Sequence, residues 1–171
     1  IQLFDPFTQN VGTDAGFSNQ GFSWKLGLGA KIGYLGTFDK LRIGVSYQSK
    51  IYMEPHDHYR ELLADGGDFD MPAIAGIGAS YDITPAWTVT TDVTYTWYDG
   101  VSSISNLGPN LAGNSDGPLG SDTRKLGLPD GLGFGWSNQT VIKIGTQYVF
   151  NDRWTGRLGW NYGKSPIDED T

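Results

Sequence analysis

The sequence predicts an all-β fold, and within that class an antiparallel transmembrane β-barrel segment of six strands. Three observations carry this. Six stretches alternate between apolar residues and polar, charged or glycine residues, so each strand has a greasy face and a wet face. Aromatic residues gather near the ends of the greasy faces, as they do at a membrane interface. Short and long connections alternate, as in bacterial outer-membrane barrels, whose periplasmic turns are short and extracellular loops long.

Residues 1–21 carry Gly, Asn, Asp and Pro without sustained period and read as loop. The first strand spans 22–34, with Phe22, Trp24, Leu26, Leu28, Ala30, Ile32 and Tyr34 on one face. The other face carries Ser23, Lys25, Gly27, Gly29, Lys31 and Gly33. That is long for a soluble strand, where about 5 or 6 residues are usual. It suits a tilted bilayer-crossing strand, which needs about 9 to 11. Leu35 to Lys40 reads as a turn, and the second strand, 41–51, sets Leu41, Ile43, Val45 and Tyr47 against Arg42, Gly44, Ser46, Gln48 and Lys50.

Residues 52–70 form a long acidic loop, within which HYRELLAD (58–65) is compatible with a short helix. The third strand, 71–83, begins around Pro72, which has no donor for a ladder and belongs at a strand's start. Residues 84–86 turn into the fourth strand, 87–98, with Trp87, Val89, Val93, Tyr95 and Trp97 opposite a run of threonines and Asp92. A Gly-, Ser- and Asn-rich loop covers 99–138, longer than compact soluble domains usually hold. The fifth and sixth strands, 139–150 and 154–163, flank a turn at 151–153. Residues 1–171 are expected to form one barrel segment, with long outer loops at 1–21, 52–70 and 99–138 and short turns on the other side.

Bulk composition narrows the alternatives. The formal charge is −7, which argues against nucleic acid, whose partners carry a basic footprint. No apolar run approaches the ~18 residues of a spanning helix. With no Cys, neither a disulfide scaffold nor a Cys-ligated metal site is available. His56-Asp57-His58 would need a carboxylate as third ligand and reads as solvated surface, so no metal is expected. No GxSxG occurs, and Gly127–Gly135 lacks the following helix of a phosphate loop. The expectation is a protein without catalytic residues or cofactor.

Six strands are too few to close a bacterial barrel, which runs from about 8 upward. An open sheet in lipid leaves edge groups unsatisfied at several kcal/mol each. The chain is therefore expected to be part of a larger barrel, closed by missing strands of the same parent chain or by other chains. Ile1 opens without a leader, and the strand count favours a piece of a longer chain over removal of a signal.

Four stretches, in this order, resemble a known family: GFSWKLGLGAKIGY (21–34), LRIGVSYQSKI (41–51), MPAIAGIGASYDITPAWTVTTDVTYTWYD (71–99) and IKIGTQYVFNDRWTGRLGWNYGKSPI (142–167). The family is that of the FadL-type long-chain fatty acid and hydrocarbon transporters of Gram-negative outer membranes. The resemblance implies a 14-stranded barrel with an internal plug, of which this chain would supply the sixth to eleventh strands. It implies passive uptake of hydrophobic small molecules, from an outer loop groove to an internal pocket and out through the wall. A structural or receptor barrel that conducts no ligand is the alternative. A soluble sandwich binding sugars would instead aim its aromatic residues into a cleft.

By the resemblance, the groove lies between residues 1–21 and 52–70. The first offers Leu3, Phe4, Phe7 and Phe17; the second offers Tyr52, Met53, Tyr59, Leu62, Leu63 and Phe69. Clustered apolar groups on loops mark interaction sites, although these side chains also suit packing of the loops together. On the wet face, Arg42, Lys50, Lys143 and Arg157 are able to hold a carboxylate head group. Pairing with Asp82 and Asp92 inside a polar lumen is the other reading. The implied partners are outer-membrane lipid, lipopolysaccharide and a hydrophobic ligand.

Overall fold

The computed structural model describes residues 21–22, 24–60, 62–107, 129, 131 and 133–167. Its strands are β1 (Gly27–Leu28), β2 (Lys31–Phe38), β3 (Leu41–Gln48), β4 (Tyr52–Met53), β5 (Ala73–Thr84), β6 (Trp87–Trp97), β7 (Gln139–Asn151) and β8 (Trp154–Gly163). Six of them form one antiparallel meander in the order β2-β3-β5-β6-β7-β8. β1 pairs separately with β4.

Register fixes the two faces across the whole sheet. Tyr34 pairs with Val45, Val45 with Ile77, Ile77 with Val93 and Val93 with Ile142. The alternate row joins Leu35 to Gly44, Gly44 to Gly78, Gly78 to Asp92, Asp92 to Lys143 and Lys143 to Asn161. One surface is therefore aliphatic and aromatic, the other polar and glycine-rich. Among the described residues nothing packs on the apolar surface: Val45 is 44%, Ile77 55% and Leu158 76% exposed. Among the described residues, the buried apolar side chains are Ala64, Val101 and Ile104, all in the outer loops. An unpacked apolar surface of this extent is the mark of an interaction face and not of one left to water.

Aromatic residues border this surface. Phe38, Tyr81, Trp87, Tyr148, Phe150 and Trp154 sit toward the short turns, and Tyr47, Tyr95, Trp97 and Tyr162 toward the long loops. Tyr95 and Trp97 meet edge to face at 4.7 Å, and Trp160 stacks with Tyr162 at 6.0 Å. Such pairs add modestly to burial alone.

The turns reveal the tilt. Leu41, first after the β2–β3 turn, pairs with Tyr81, yet β5 continues three residues further, to Thr84. Trp87, first after the next turn, pairs with Tyr148, and β7 continues three further, to Asn151. Each hairpin thus ends two to three residues lower than the one before, three on the strand that carries a bulged residue before its turn and two on its partner. At ~3.3 Å per residue and ~4.8 Å between strands, that slope is about 35–45°, the tilt of strands in a barrel wall.

Three local expectations are corrected. The strand expected over 22–34 is interrupted. β2 pairs with β3 from Lys31↔Gln48, whereas Leu28 pairs with Tyr52, so one extra residue is absorbed between Ser49 and Ile51. This is a bulge, and the Ser49 hydroxyl accepts the Ala30 N–H at 2.9 Å in place of a carbonyl. Leu28 is consequently far from mid-strand. The turn expected over 35–40 is only Asp39-Lys40, because Gly36 leaves room for the rings of Tyr34 and Phe38 and the strand runs through it. The helix expected within 58–65 is a single 3₁₀ turn at Asp57–Tyr59, followed by a turn at Ala64–Gly67. Asp65 (φ 58°) and Gly66 (φ 72°) are left-handed there, which no right-handed helix passes through.

Asp39 also lies in the left-handed region, at φ 52°. Aspartate tolerates it because its short polar side chain bonds locally. Asp39→Val is expected to destabilise the barrel by about 1–2 kcal/mol, read as a shift in the urea unfolding curve in lipid vesicles.

β2 and β8 each have one neighbour in the sheet, so the barrel is not closed by this chain's described residues.

Candidate functional site

The wet surface carries a trough of about 520 Å³ over β3, β5 and β6. Its floor is glycine: Gly44 faces Gly78, and Gly76 faces Ser46. Leu35, Arg42, Asp92 and Thr94 stand around it. A methyl group at Gly44 would meet nothing closer than Leu35 Cδ1 at 3.7 Å, so the missing side chain leaves room that the sheet itself does not use.

Two cations on this face, Arg42 and Lys143, are paired with acids of the wall. Arg42 Nη2 lies 2.7 Å from Asp82 Oδ1 and donates to Ser80 Oγ at 3.2 Å. Asp82 also accepts from Thr88 Oγ1 at 2.7 Å. Lys143 is 3.5 Å from Asp92. Arg157 donates from Nε to the neutral Gln147 Oε1 at 2.7 Å.

At the outer end, the loops fold into a cap. Residues 64–70 pack against Ser102–Ser105, where Val101, Ser103 and Ile104 are buried. Lys50, just past the end of β3, is 2.8 Å from Asp70 Oδ2 and donates to the Gly100 carbonyl at 2.8 Å. Asp70 Oδ1 accepts the Met53 N–H at 2.6 Å. Lys25 bonds Asp57 at 2.7 Å, and that hydrogen bond, with the lysine charge, holds the Asp57 carboxyl below its ordinary value.

Asp68 and Asp70 titrate in opposite directions. Burial, then the Asp70 charge, raises Asp68. Burial alone would raise Asp70 too, but hydrogen bonds from Lys50 and the Met53 N–H outweigh it and lower it. Asp70 therefore stabilises the cap above the ordinary carboxylate range, and this is lost as pH falls through its lowered value. Asp68 stabilises it below the ordinary range, and this is lost as pH rises through its raised value. Protection of the outer loops from protease is expected to be greatest near the ordinary carboxylate range and to fall on either side of it.

The residues expected to form an outer groove are only partly within view. Phe4, Phe7 and Phe17, with Leu3, lie outside the described residues. Tyr52 is exposed opposite Leu28, and the Met53 thioether lies over Gly27. Tyr59 donates its hydroxyl to the Gly21 carbonyl at 2.6 Å, tying this loop to the segment before β1. Leu62 is exposed, while Leu63 and Phe69 are half-buried. Of the expected head-group cations, Arg42 and Arg157 lie in wall strands and Lys50 lies at the base of the cap. Sequence reasoning passed over Asp70 and Ser103, each 3% exposed. The Asp-Phe-Asp run immediately before a strand was the available signal for the first.

Residues 17–171 match the family model described as outer membrane protein transport protein (OMPP1/FadL/TodX). Two solved structures share the fold. One is the CymD monoaromatic hydrocarbon channel, at 18% identity and a TM-score of 0.51, covering 81% of this chain and 38% of that one. The other is the Pseudomonas putida toluene transporter TodX, at 19% identity and a TM-score of 0.51, covering 82% of this chain and 35% of that one. The chain thus spans little more than a third of either channel's length. No curated protein sequence gives a significant match. An open, tilted wall with an exposed apolar face and a family match over nearly the whole chain agree: the chain belongs to the OMPP1/FadL/TodX family of outer-membrane transport proteins.

Proposed function

We propose that this chain forms one arc of a barrel that admits hydrophobic small molecules across the outer membrane by passive diffusion, without covalent chemistry. Tyr52, Met53, Tyr59, Leu62, Leu63 and Phe69 contribute to the entry surface of the outer loops, with Phe4, Phe7 and Phe17 from the preceding segment. Inside, the ligand passes along the glycine-floored trough. The observation that carries this reading is that trough, on the lumen side of a wall whose other side is an exposed apolar face.

The pairing of wall charges favours an uncharged substrate. Arg42 and Lys143 already face Asp82 and Asp92, so a carboxylate head group would have to displace an acid that is tethered beside each. A monoaromatic hydrocarbon, of the class named for the two similar channels, asks for no such exchange. A second reading has one observation in its favour: Arg157 bonds the neutral Gln147, leaving its charge available to a fatty-acid carboxylate.

The test is uptake by intact cells whose outer membrane carries the complete protein. Radiolabelled toluene is expected to enter faster than in cells without it, with long-chain fatty acid unchanged. Faster entry of the fatty acid, abolished by Arg157→Gln, would establish the second reading. Equal entry of both compounds with and without the protein would point to a structural barrel.

A further inference from the structure

We infer that Lys50 is the latch of the outer cap, a positioning residue whose release lets two outer loops part from the barrel rim. The inference rests on the uptake reading above only for its purpose; its geometry stands apart.

Three chain segments converge on one ammonium group. Lys50 follows the last residues of β3, Asp70 lies on the run into β5, and Gly100 lies just after β6. The lysine reaches the Asp70 carboxylate and the Gly100 carbonyl, each at 2.8 Å, and sits 5.3 Å above the Tyr52 ring. Asp70 is 3% exposed, and its second oxygen takes the Met53 N–H at 2.6 Å. The Ser103 hydroxyl donates to the Asp68 carbonyl, so the same two loops are sewn together once more beside the clasp.

Other polar ties, such as Lys25–Asp57, Tyr59–Gly21 and Asn138–Asp99, also hold these loops, but their apolar core is small. The buried apolar residues among those described are Ala64, Val101 and Ile104. Segments with so small an apolar core open locally at low cost, so a charge-assisted clasp at a buried carboxylate contributes to the closed state. Its place matters too. Lys50 lies inside the bulge, where the chain leaves the regular sheet, so the latch links the rigid wall to the loops rather than one loop to itself. A buried carboxylate deprived of its cation is costly, which makes removal of either partner equivalent to opening the clasp.

The experiment uses intact cells displaying the complete protein, with Lys50→Met, Asp70→Asn, the double variant and Lys50→Arg. Retention of the folded barrel is read from heat-modifiable migration on gels, and cap opening from the rate of external protease cleavage in the outer loops. Each single change is expected to raise cleavage about tenfold, the effect of ~1.4 kcal/mol on the opening equilibrium. The double variant is expected to fall short of the product of the singles, since the shared Lys50–Asp70 interaction is lost only once. Lys50→Arg keeps the charge and is expected to retain most of the protection. Unchanged cleavage in both singles would overturn the latch, as would multiplied effects in the double. Should Lys50→Met not reach the membrane folded, Lys50→Arg and Asp70→Asn decide: protection kept in the first and lost in the second supports the latch, and any other pair of results overturns it. Cleavage is read without substrate, so failure of the uptake reading would show separately, as absent transport with a working latch.

Discussion

Val45→Arg is expected to cost about 2–4 kcal/mol of barrel stability, while Leu28→Arg is expected to cost about 0–1 kcal/mol. Val45 projects from the apolar surface, flanked in register by Tyr34 and Ile77. It lies four residues up from Leu41, the first residue after the β2–β3 turn. With strands tilted about 35–45° and rising ~3.3 Å per residue, that is roughly 10 Å above the turn, close to the middle of a ~25 Å apolar band. A guanidinium there has no water within reach unless the bilayer thins around it. Leu28 is ten residues from Phe38, beyond the bulge, and the same arithmetic puts it at the outer edge of the band, where an arginine reaches water. Urea unfolding of the complete protein in vesicles measures both. Equal costs at the two positions would mean that the assignment of the lipid face, or of the tilt, is wrong.

Gly44→Phe is the second large effect, and it is read in transport rather than stability. The Cβ position at Gly44 has ordinary clearance, with Leu35 Cδ1 at 3.7 Å, so a side chain can leave the backbone without distorting it. Its ring would then occupy the trough between Leu35, Arg42 and Asp92. Uptake of hydrocarbon is expected to fall at least about tenfold, equivalent to ~1.4 kcal/mol or more along the path, with the barrel still folded. Gly78 is a poorer place for this test, since a Cβ there would sit 3.2 Å from the Asp92 Cβ and disturb the wall itself. Undiminished uptake in a folded Gly44→Phe barrel would show that ligand does not cross this part of the lumen.

Much of the wall was legible because a strand in lipid writes its environment into every second residue. The alternations through 41–48, 73–82, 87–97 and 139–149 give the faces that the register joins across strands. What escaped is what depends on partners. Leu35–Phe38 reads as a turn because of Gly36, yet the neighbouring rings of Tyr34 and Phe38 fill that space. The bulge at Ser49–Ile51 leaves no mark on the alternation of 22–34, since an extra residue on one strand is visible only against the other. The spacing of the cations was plain, but their commitments were not. Arg42 finds Asp82 across 40 residues of chain and Lys50 finds Asp70 across 20, and no local rule links either pair.

The stepwise descent of the turns has a consequence for how such a wall can vary. A hairpin is the natural unit of growth: adding or removing one advances the seam by a fixed pitch and leaves every aromatic girdle level with its neighbours. Deleting one residue from a single strand does the opposite, because it rotates that strand's side chains by half a turn and lifts its end out of line with the rest. Length changes should therefore be tolerated in pairs of strands or in the outer loops, and hardly anywhere between.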